Sequence, residues 1–257
     1  MKFIGIIPAR YASTRFPGKP LALLGGKTVI QRVYEQVKGV FDRAVVATDD
    51  ERIAQAVKDF GGDVVMTRTD HKSGTDRCYE AVTKVGEDYD VVVNIQGDEP
   101  FIHHSQLEAV KQCFDDPQTQ IATLVKPFLP EDGEAALENV NSPKVVINAR
   151  GQAIYFSRSI IPYMRGRDKQ EWLAHHTYYK HIGLYAYKTD VLRDITRLPQ
   201  SPLEKAESLE QLRWIENGYV IKVAESQVET IGIDTPEDLQ KAELFLQNST
   251  KNAAKGV

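Results

Sequence analysis

Along the first half of the chain, short apolar runs alternate with stretches whose apolar residues recur every three to four positions. The runs FIGIIPA, RAVVAT, DVVM, YDVVVNI and QIATLV are rich in β-branched residues and bounded by polar ones, a pattern that predicts buried strands. Between them, TVIQRVYEQV, DERIAQAVKDF, TDRCYEAVTKV and SQLEAVKQCF read as amphipathic helices. Strand and helix in alternation predict an α/β fold, a mostly parallel sheet with helices on both faces. Ligands of such sheets sit beyond the carboxyl ends of the strands. Three strand ends carry polar clusters: Pro8 to Lys19, Thr48-Asp49-Asp50, and Gln96-Gly97-Asp98-Glu99-Pro100.

The rhythm changes after residue 130. PEDGEAALENVNSPK reads as a connection, and VVINARGQAIYFSR as a hairpin turning at Arg150-Gly151. Met164 to His176, basic in its middle, is expected to be a mobile loop or a partner contact. HIGLYAYK and YVIKVAES bracket LEKAESLEQLRWIEN, read as one helix with Leu203, Ala206, Leu209 and Leu212 as its buried stripe. These breaks place a core over residues 1–130, a smaller lobe over 131–225, a return to the core over 226–250, and a disordered tail at the end, over 251–257.

Composition narrows the functional classes. With 257 residues, 42% hydrophobic and 26% charged, the chain can bury a large core unaided. A net charge of −4 excludes recognition of nucleic acid through a broad basic field, so any anion site must be local. No run is long and apolar enough for membrane insertion, no leader pattern opens the chain, and Cys78 and Cys113 lack metal or redox spacing. Buried thiols in a cytoplasmic protein are the expectation.

Chemistry is concentrated at the strand ends. In IIPARYASTRFPGKPL, Arg10, Arg15 and Lys19 follow the first strand in a loop shaped by Gly18 and two prolines, ahead of a helix whose N-terminus would favour an anion. A polyphosphate suits three cations, although such residues are otherwise simply solvated. The loop is not a Walker motif, because Pro20 follows Lys19 and offers no hydroxyl to a metal. Asp98 ends an apolar strand after Gly97, and Asp234 precedes Thr235 and Pro236, a predicted helix N-cap and first turn. Two carboxylates with phosphate oxygens satisfy magnesium, whereas each acid alone is equally a turn or helix-entry residue. In HKSGTDR, Ser73 is a small donor for a base, with Thr75 or Asp76 as the competing helix cap. His181 and Tyr185 share a strand face; Glu207, Glu210, Gln211 and Trp214 share a helix face suited to solvent or to a polyhydroxylated ligand; Arg158 suits a carboxylate.

Six segments in order, IIPARYASTRFPGKPL, HKSGTDR, VNIQGDEP, HIGLYAY, ESLEQLRW and IGIDTPEDL, resemble the CMP-Kdo synthetases, a family of cytidylyltransferases acting on 3-deoxy-manno-octulosonate (Kdo). The resemblance spans nearly the whole chain; the opening segment alone also suits CMP-sialate synthetases. It implies a Rossmann-like, GT-A-like nucleotidyltransferase fold whose smaller lobe serves sugar binding and dimerisation. It further implies transfer of CMP from CTP to Kdo with magnesium, for lipopolysaccharide synthesis, in a homodimer. On this resemblance Arg10, Arg15 and Lys19 hold phosphates, Asp98 and Asp234 hold metal, and Pro8, Ala9, Ser73 and Gln96 surround the nucleotide. Arg77, Arg158, His181, Tyr185, Glu210 and Gln211 line the sugar pocket. Another sugar nucleotidyltransferase, or a module that senses CTP without catalysis, stands as the alternative.

Overall fold

The structure, a computed structural model, describes residues 1–228 and 231–255, with side chains described as far as residue 248. Two compact units divide the chain: Met1–His104 with Thr230–Val257, and Ser105–Glu229.

The first unit opens with β1 (Phe3–Ala9), a small hairpin of β2 (Leu23–Leu24) and β3 (Lys27–Thr28), and α1 (Val29–Val37). Then come β4 (Arg43–Thr48), α2 (Glu51–Asp59), β5 (Val64–Met66), α3 (Gly74–Val85) and β6 (Val91–Asn94). Its strands lie in the order β6-β1-β4-β5, all parallel. β6 is buried throughout and β1 nearly so, which explains continuous apolar runs rather than alternation. The three helices start on side-chain caps: Thr28 accepts from the Gln31 N–H, Asp50 from that of Arg52 and Ser73 from that of Asp76. Crossovers from β1 to β4 to β5 run one way across the sheet and the return to β6 runs the other. The right-handed rule therefore sets α3 on the face opposite α1 and α2.

The second unit contains α4 (His104–Gln112), β7 (Ile121–Pro127), α5 (Gly133–Glu138), β8 (Lys144–Ile147) and β9 (Ala153–Ser157). There follow α6 (Trp172–His175), β10 (Tyr179–Lys188), α7 (Thr189–Ile195), α8 (Pro202–Glu207), α9 (Gln211–Glu216) and β11 (Ile221–Glu225). β7 runs parallel to β11 and antiparallel to β10, which pairs in turn with β8, and β8 with β9. A bridge from Gln152 to Lys222 links the β8–β9 turn back to β11. After this unit the chain ends in α10 (Pro236–Lys255), whose Leu239, Ala242 and Leu246 pack with Leu24, Val29 and Ile233 of the first unit.

Four boundaries differ from expectation. The units part at residue 104 rather than 130, because β7 has β10 and β11 as partners and so belongs with the second unit. Of the two expectations for residues 164–176, the mobile loop is not met: Trp172 is buried, stacks on Tyr178 and donates through Nε1 to the Arg167 carbonyl, while Lys169 pairs with Glu138. The single helix expected over 203–217 breaks at Ser208, which takes the left-handed conformation (φ 52°), so the buried stripe shifts. Glu204 is buried against Arg213 while Ala206 is exposed. Finally, residues 251–255 of the expected tail continue α10, since no glycine or proline interrupts the chain between Pro236 and Gly256; the last two residues lie outside the described ones. Both cysteine thiols are buried as expected.

Candidate active site

In the first unit the topological switch point falls between β1 and β6, where the crossovers diverge. A cavity of about 470 Å³ opens beyond the ends of those two strands. Pro8, Ala9 and Arg10 line it from β1 and its exit, Ala12–Arg15 and Lys19 from the following loop, Gly74 and Arg77 from α3, and Gln96–Asp98 from beyond β6. Gly97 makes this close approach possible: a Cβ there would sit 2.6 Å from the Pro8 carbonyl oxygen. The loop after β1 closes through Gly18, whose left-handed backbone (φ 72°) sends its N–H to the Tyr11 carbonyl. The Tyr11 ring carries the Arg52 guanidinium at 3.3 Å, and Arg52 pairs with Asp50, so the loop leans on the first turn of α2. No helix follows this loop directly, contrary to expectation. A 3₁₀ turn at Lys19–Leu21 and the β2–β3 hairpin intervene, so the loop itself ends on no helix dipole.

Arg10 and Arg15 are exposed, whereas the Lys19 side chain is only 13% exposed. Its ammonium donates to Asp98 Oδ2 at 2.6 Å and to Asp234 Oδ1 at 3.1 Å; Arg15 reaches the other oxygen of Asp234 at 3.0 Å. Asp234 arrives there because Ile233 N–H donates to the Asp98 carbonyl and Thr235 caps α10. The Thr235 hydroxyl and backbone N–H both bond Asp238, leaving the Asp234 carboxylate free for the cations. Two carboxylates thus converge on one positive charge. Among the described residues no cluster of three or more metal-ligating side chains occurs. A donor set of two carboxylates fits a magnesium ion that takes its remaining oxygens from phosphate and water.

Arg77, expected in the sugar pocket, lines this cavity but is 1% exposed and donates to Thr67 Oγ1 at 2.5 Å and Asp49 Oδ2 at 2.9 Å. It ties the end of β4 to the loop before α3. Ser73 caps α3, a role expected of Thr75 or Asp76, and it is Gly74 beside it that faces the cavity. The same loop is held by a residue the sequence did not single out. Glu80 accepts from Arg68 N–H, His71 Nε2 and Lys84 Nζ. Burial would raise its carboxyl, but Lys84 and the other two donors outweigh that and bring it down to about 2.

The remaining sugar-pocket candidates all lie in the second unit. His181 and Tyr185 pack ring to ring at 5.2 Å, and Tyr185 meets Trp214 of α9 edge-on at the same distance. Burial lowers the His181 imidazole to about 3, so it is neutral, with Nε2 3.0 Å from Thr123 Oγ1. That hydroxyl also lies 2.8 Å from the Leu184 carbonyl, which can only accept, so Thr123 donates there and His181 Nε2 carries its own proton. Nδ1 is then an acceptor. Burial, with the nearby Glu210 charge, pushes the Tyr185 hydroxyl well above its usual range. Gln211 Nε2 and Trp214 Nε1 are buried without a hydrogen-bond partner, an unusual cost unless a ligand answers it. Trp214 is 1% exposed, because the break at Ser208 turns α9 inward. Arg158 is more committed than expected: three of its five N–H donors reach the carbonyls of Val140, Glu207 and Ser208. Thr123 carried no sequence signal, being one polar residue inside an apolar run.

A family model described as "Cytidylyltransferase" matches residues 4–231. The chain belongs to the cytidylyltransferase family. Within it, a 3-deoxy-manno-octulosonate cytidylyltransferase of Phocaeicola vulgatus is 76% identical over 96% of this chain and 98% of its own length. One of Bacteroides thetaiotaomicron is 75% identical over 96% and 99%. Among solved structures, a CMP:2-keto-3-deoxy-manno-octonic acid synthetase complexed with CTP is 43% identical, covers 97% of this chain and 100% of its own, and has a TM-score of 0.89. A 4-diphosphocytidyl-2C-methyl-D-erythritol synthase from Anaerococcus prevotii, at 13% identity and TM-score 0.60 over 96% and 99%, shares the fold alone. The nucleotidyltransferase Rossmann-like fold and the family expected from the six segments are thus those of this cytidylyltransferase.

Proposed function

We propose that this cytidylyltransferase activates Kdo with CTP, giving CMP-Kdo and pyrophosphate. The observation that carries the reading is the convergence of Arg10, Arg15, Lys19 and Asp98 on one switch-point cavity, with Asp234 paired to Arg15 and Lys19. The anomeric hydroxyl of the sugar acid attacks the α-phosphorus of CTP in line. Its oxygen bonds to phosphorus and releases its proton to solvent as the α–β bridging bond breaks, and pyrophosphate leaves with that electron pair. Both partners are anionic, so repulsion is the first obstacle. Arg10 and Arg15, exposed at the rim, and Lys19 within offset it at the triphosphate. Asp98 and Asp234 would hold magnesium, which supplies positive charge toward the phosphate oxygens. Pro8, Ala9, Gly74 and Gln96 give the nucleotide its walls, with Ser73 fixing the start of α3.

In the second unit, Gln211 offers an unanswered amide donor, neutral His181 an acceptor, and Glu210 and Tyr185 further polar contacts for a polyhydroxylated acid. Arg77 and Arg158 are the candidates for its carboxylate, each with part of its guanidinium already engaged. The product serves lipopolysaccharide synthesis in the cytoplasm, and the chain works as a homodimer; these points rest on the family resemblance. No described helix is long and apolar enough to cross a membrane.

The test is pyrophosphate release from CTP with magnesium, comparing Kdo, sialic acid and glucose 1-phosphate, with and without chelator. Release with Kdo alone, abolished by chelator, is expected. Release with another acceptor moves the substrate assignment, and CTP binding without turnover on any acceptor leaves a nucleotide-sensing module.

A further inference from the structure

Lys19 has a position that holding a phosphate does not explain. Its ammonium lies between Asp98 and Asp234, 2.6 and 3.1 Å from their oxygens, on a side chain that is largely sheltered from solvent. Its backbone is fixed on both sides: Gly18 is left-handed, Pro20 is buried, and the Lys19 carbonyl accepts from Ala22 N–H. Asp234 also has Arg15, but that arginine is 65% exposed and correspondingly screened. For Asp98, Lys19 is the only cationic partner among the described residues.

We infer that Lys19 is the resident counter-ion of the Asp98–Asp234 pair. It keeps the two carboxylates together while excluding divalent metal from the nucleotide-free site, and it yields its place when nucleotide phosphate draws it off. This rests on the proposed metal role of the two acids. Two carboxylates converging without a cation repel one another, so the pair needs a charge between them at all times. A magnesium ion would sit about 2.0–2.1 Å from each oxygen, in the space the ammonium now shares, so metal and Lys19 exclude one another there. A triphosphate is the competitor able to take Lys19 away, since it presents several negative charges to a group already tethered at the cavity. Metal and nucleotide affinities are then coupled, and by linkage each raises the other. Lys19 is in this respect a positioning residue that orders the assembly of the site.

The test is metal binding without nucleotide, read by the electron paramagnetic resonance of free Mn²⁺ titrated into the full chain. Lys19→Met is expected to bind Mn²⁺ at least about tenfold more tightly than the parent chain, a conservative figure for removing one charge at contact distance. Adding Asp98→Asn to that variant is expected to abolish the gain. Lys19→Gln, with thermal unfolding of each variant, covers the case in which methionine disturbs the fold. Unchanged Mn²⁺ affinity in both Lys19 variants overturns the counter-ion role and leaves the metal assignment standing on chelator sensitivity of turnover. A gain that survives Asp98→Asn overturns the metal assignment itself.

Discussion

Gly97→Ala tests how the cavity is built. An added Cβ would lie 2.6 Å from the Pro8 carbonyl oxygen and 3.5 Å from Ile7 Cγ2. Carbon and carbonyl oxygen sit comfortably at roughly 3.3 Å or more, so about 0.7 Å must be found. The neighbour cannot swing away as a side chain would. Ile7 and Pro8 are backbone-paired with Val46 and Ala47 of β4, and β1 is buried on nearly its whole length. Overpacking of this kind costs about 1–3 kcal/mol. The backbone of Gly97 is not left-handed, so the same substitution without the clash would stabilise by about 0.4–1 kcal/mol through the unfolded chain. The two lines of reasoning predict opposite signs. Urea unfolding followed at a first-unit probe should show the midpoint falling by roughly 0.5 M or more, at an m-value near 2 kcal/mol/M. The CTP requirement should rise in parallel, because Asp98 and the Arg10–Lys19 loop are pushed apart. An unchanged or raised midpoint refutes the close-approach argument.

Three further outcomes are expected. His181 stays neutral in the fold down to about 3 while the unfolded imidazole protonates below about 6.5, so the unfolded state binds the extra proton and stability falls as pH drops through that window. The loss is about 2 kcal/mol between pH 7 and pH 5, and denaturation at the two pH values should show His181→Gln reducing the difference by that amount; an undiminished difference refutes the burial argument. Ser208→Gly relieves a left-handed conformation and should raise the melting temperature by about 1–4 °C, from roughly 0.5–1 kcal/mol in a chain of this size; a lower melting temperature would mean that the break depends on the serine side chain. Lys144 is fully buried, its pKa lowered by burial, and it donates to the carbonyls of Asn139, Ser142 and Arg158. Lys144→Met strands three acceptors and should cost about 2–4 kcal/mol in chemical denaturation; a cost near zero would show that water replaces the ammonium.

The first unit was legible because its parallel strands are covered on both faces, so that FIGIIPA and VVVN read as unbroken apolar runs ending in polar clusters. The cations and the two acids were visible by the same logic. Their contact was not, since 79 residues separate Lys19 from Asp98 and 215 separate it from Asp234, and no local pattern reports a partner at that distance. QIATLV looked like one more strand of the first unit, because an apolar run is silent about which neighbour it pairs with. Periodicity also failed across ESLEQLRW, where one residue in the left-handed region rotates everything after it. That rotation buries Gln211 and Trp214, whose polar atoms an unbroken helix would have turned to solvent.

The acid pair joins residues far apart in the coding order, with the whole second unit inserted between them. During synthesis the phosphate-facing loop and Asp98 leave the ribosome long before Asp234. An emerging chain therefore carries Lys19 with half of its carboxylate complement until the final helix docks. Translational arrest between residues 98 and 234 yields a product with the residues of the nucleotide walls but without the acid pair, so the chain order itself withholds competence from an incomplete polypeptide.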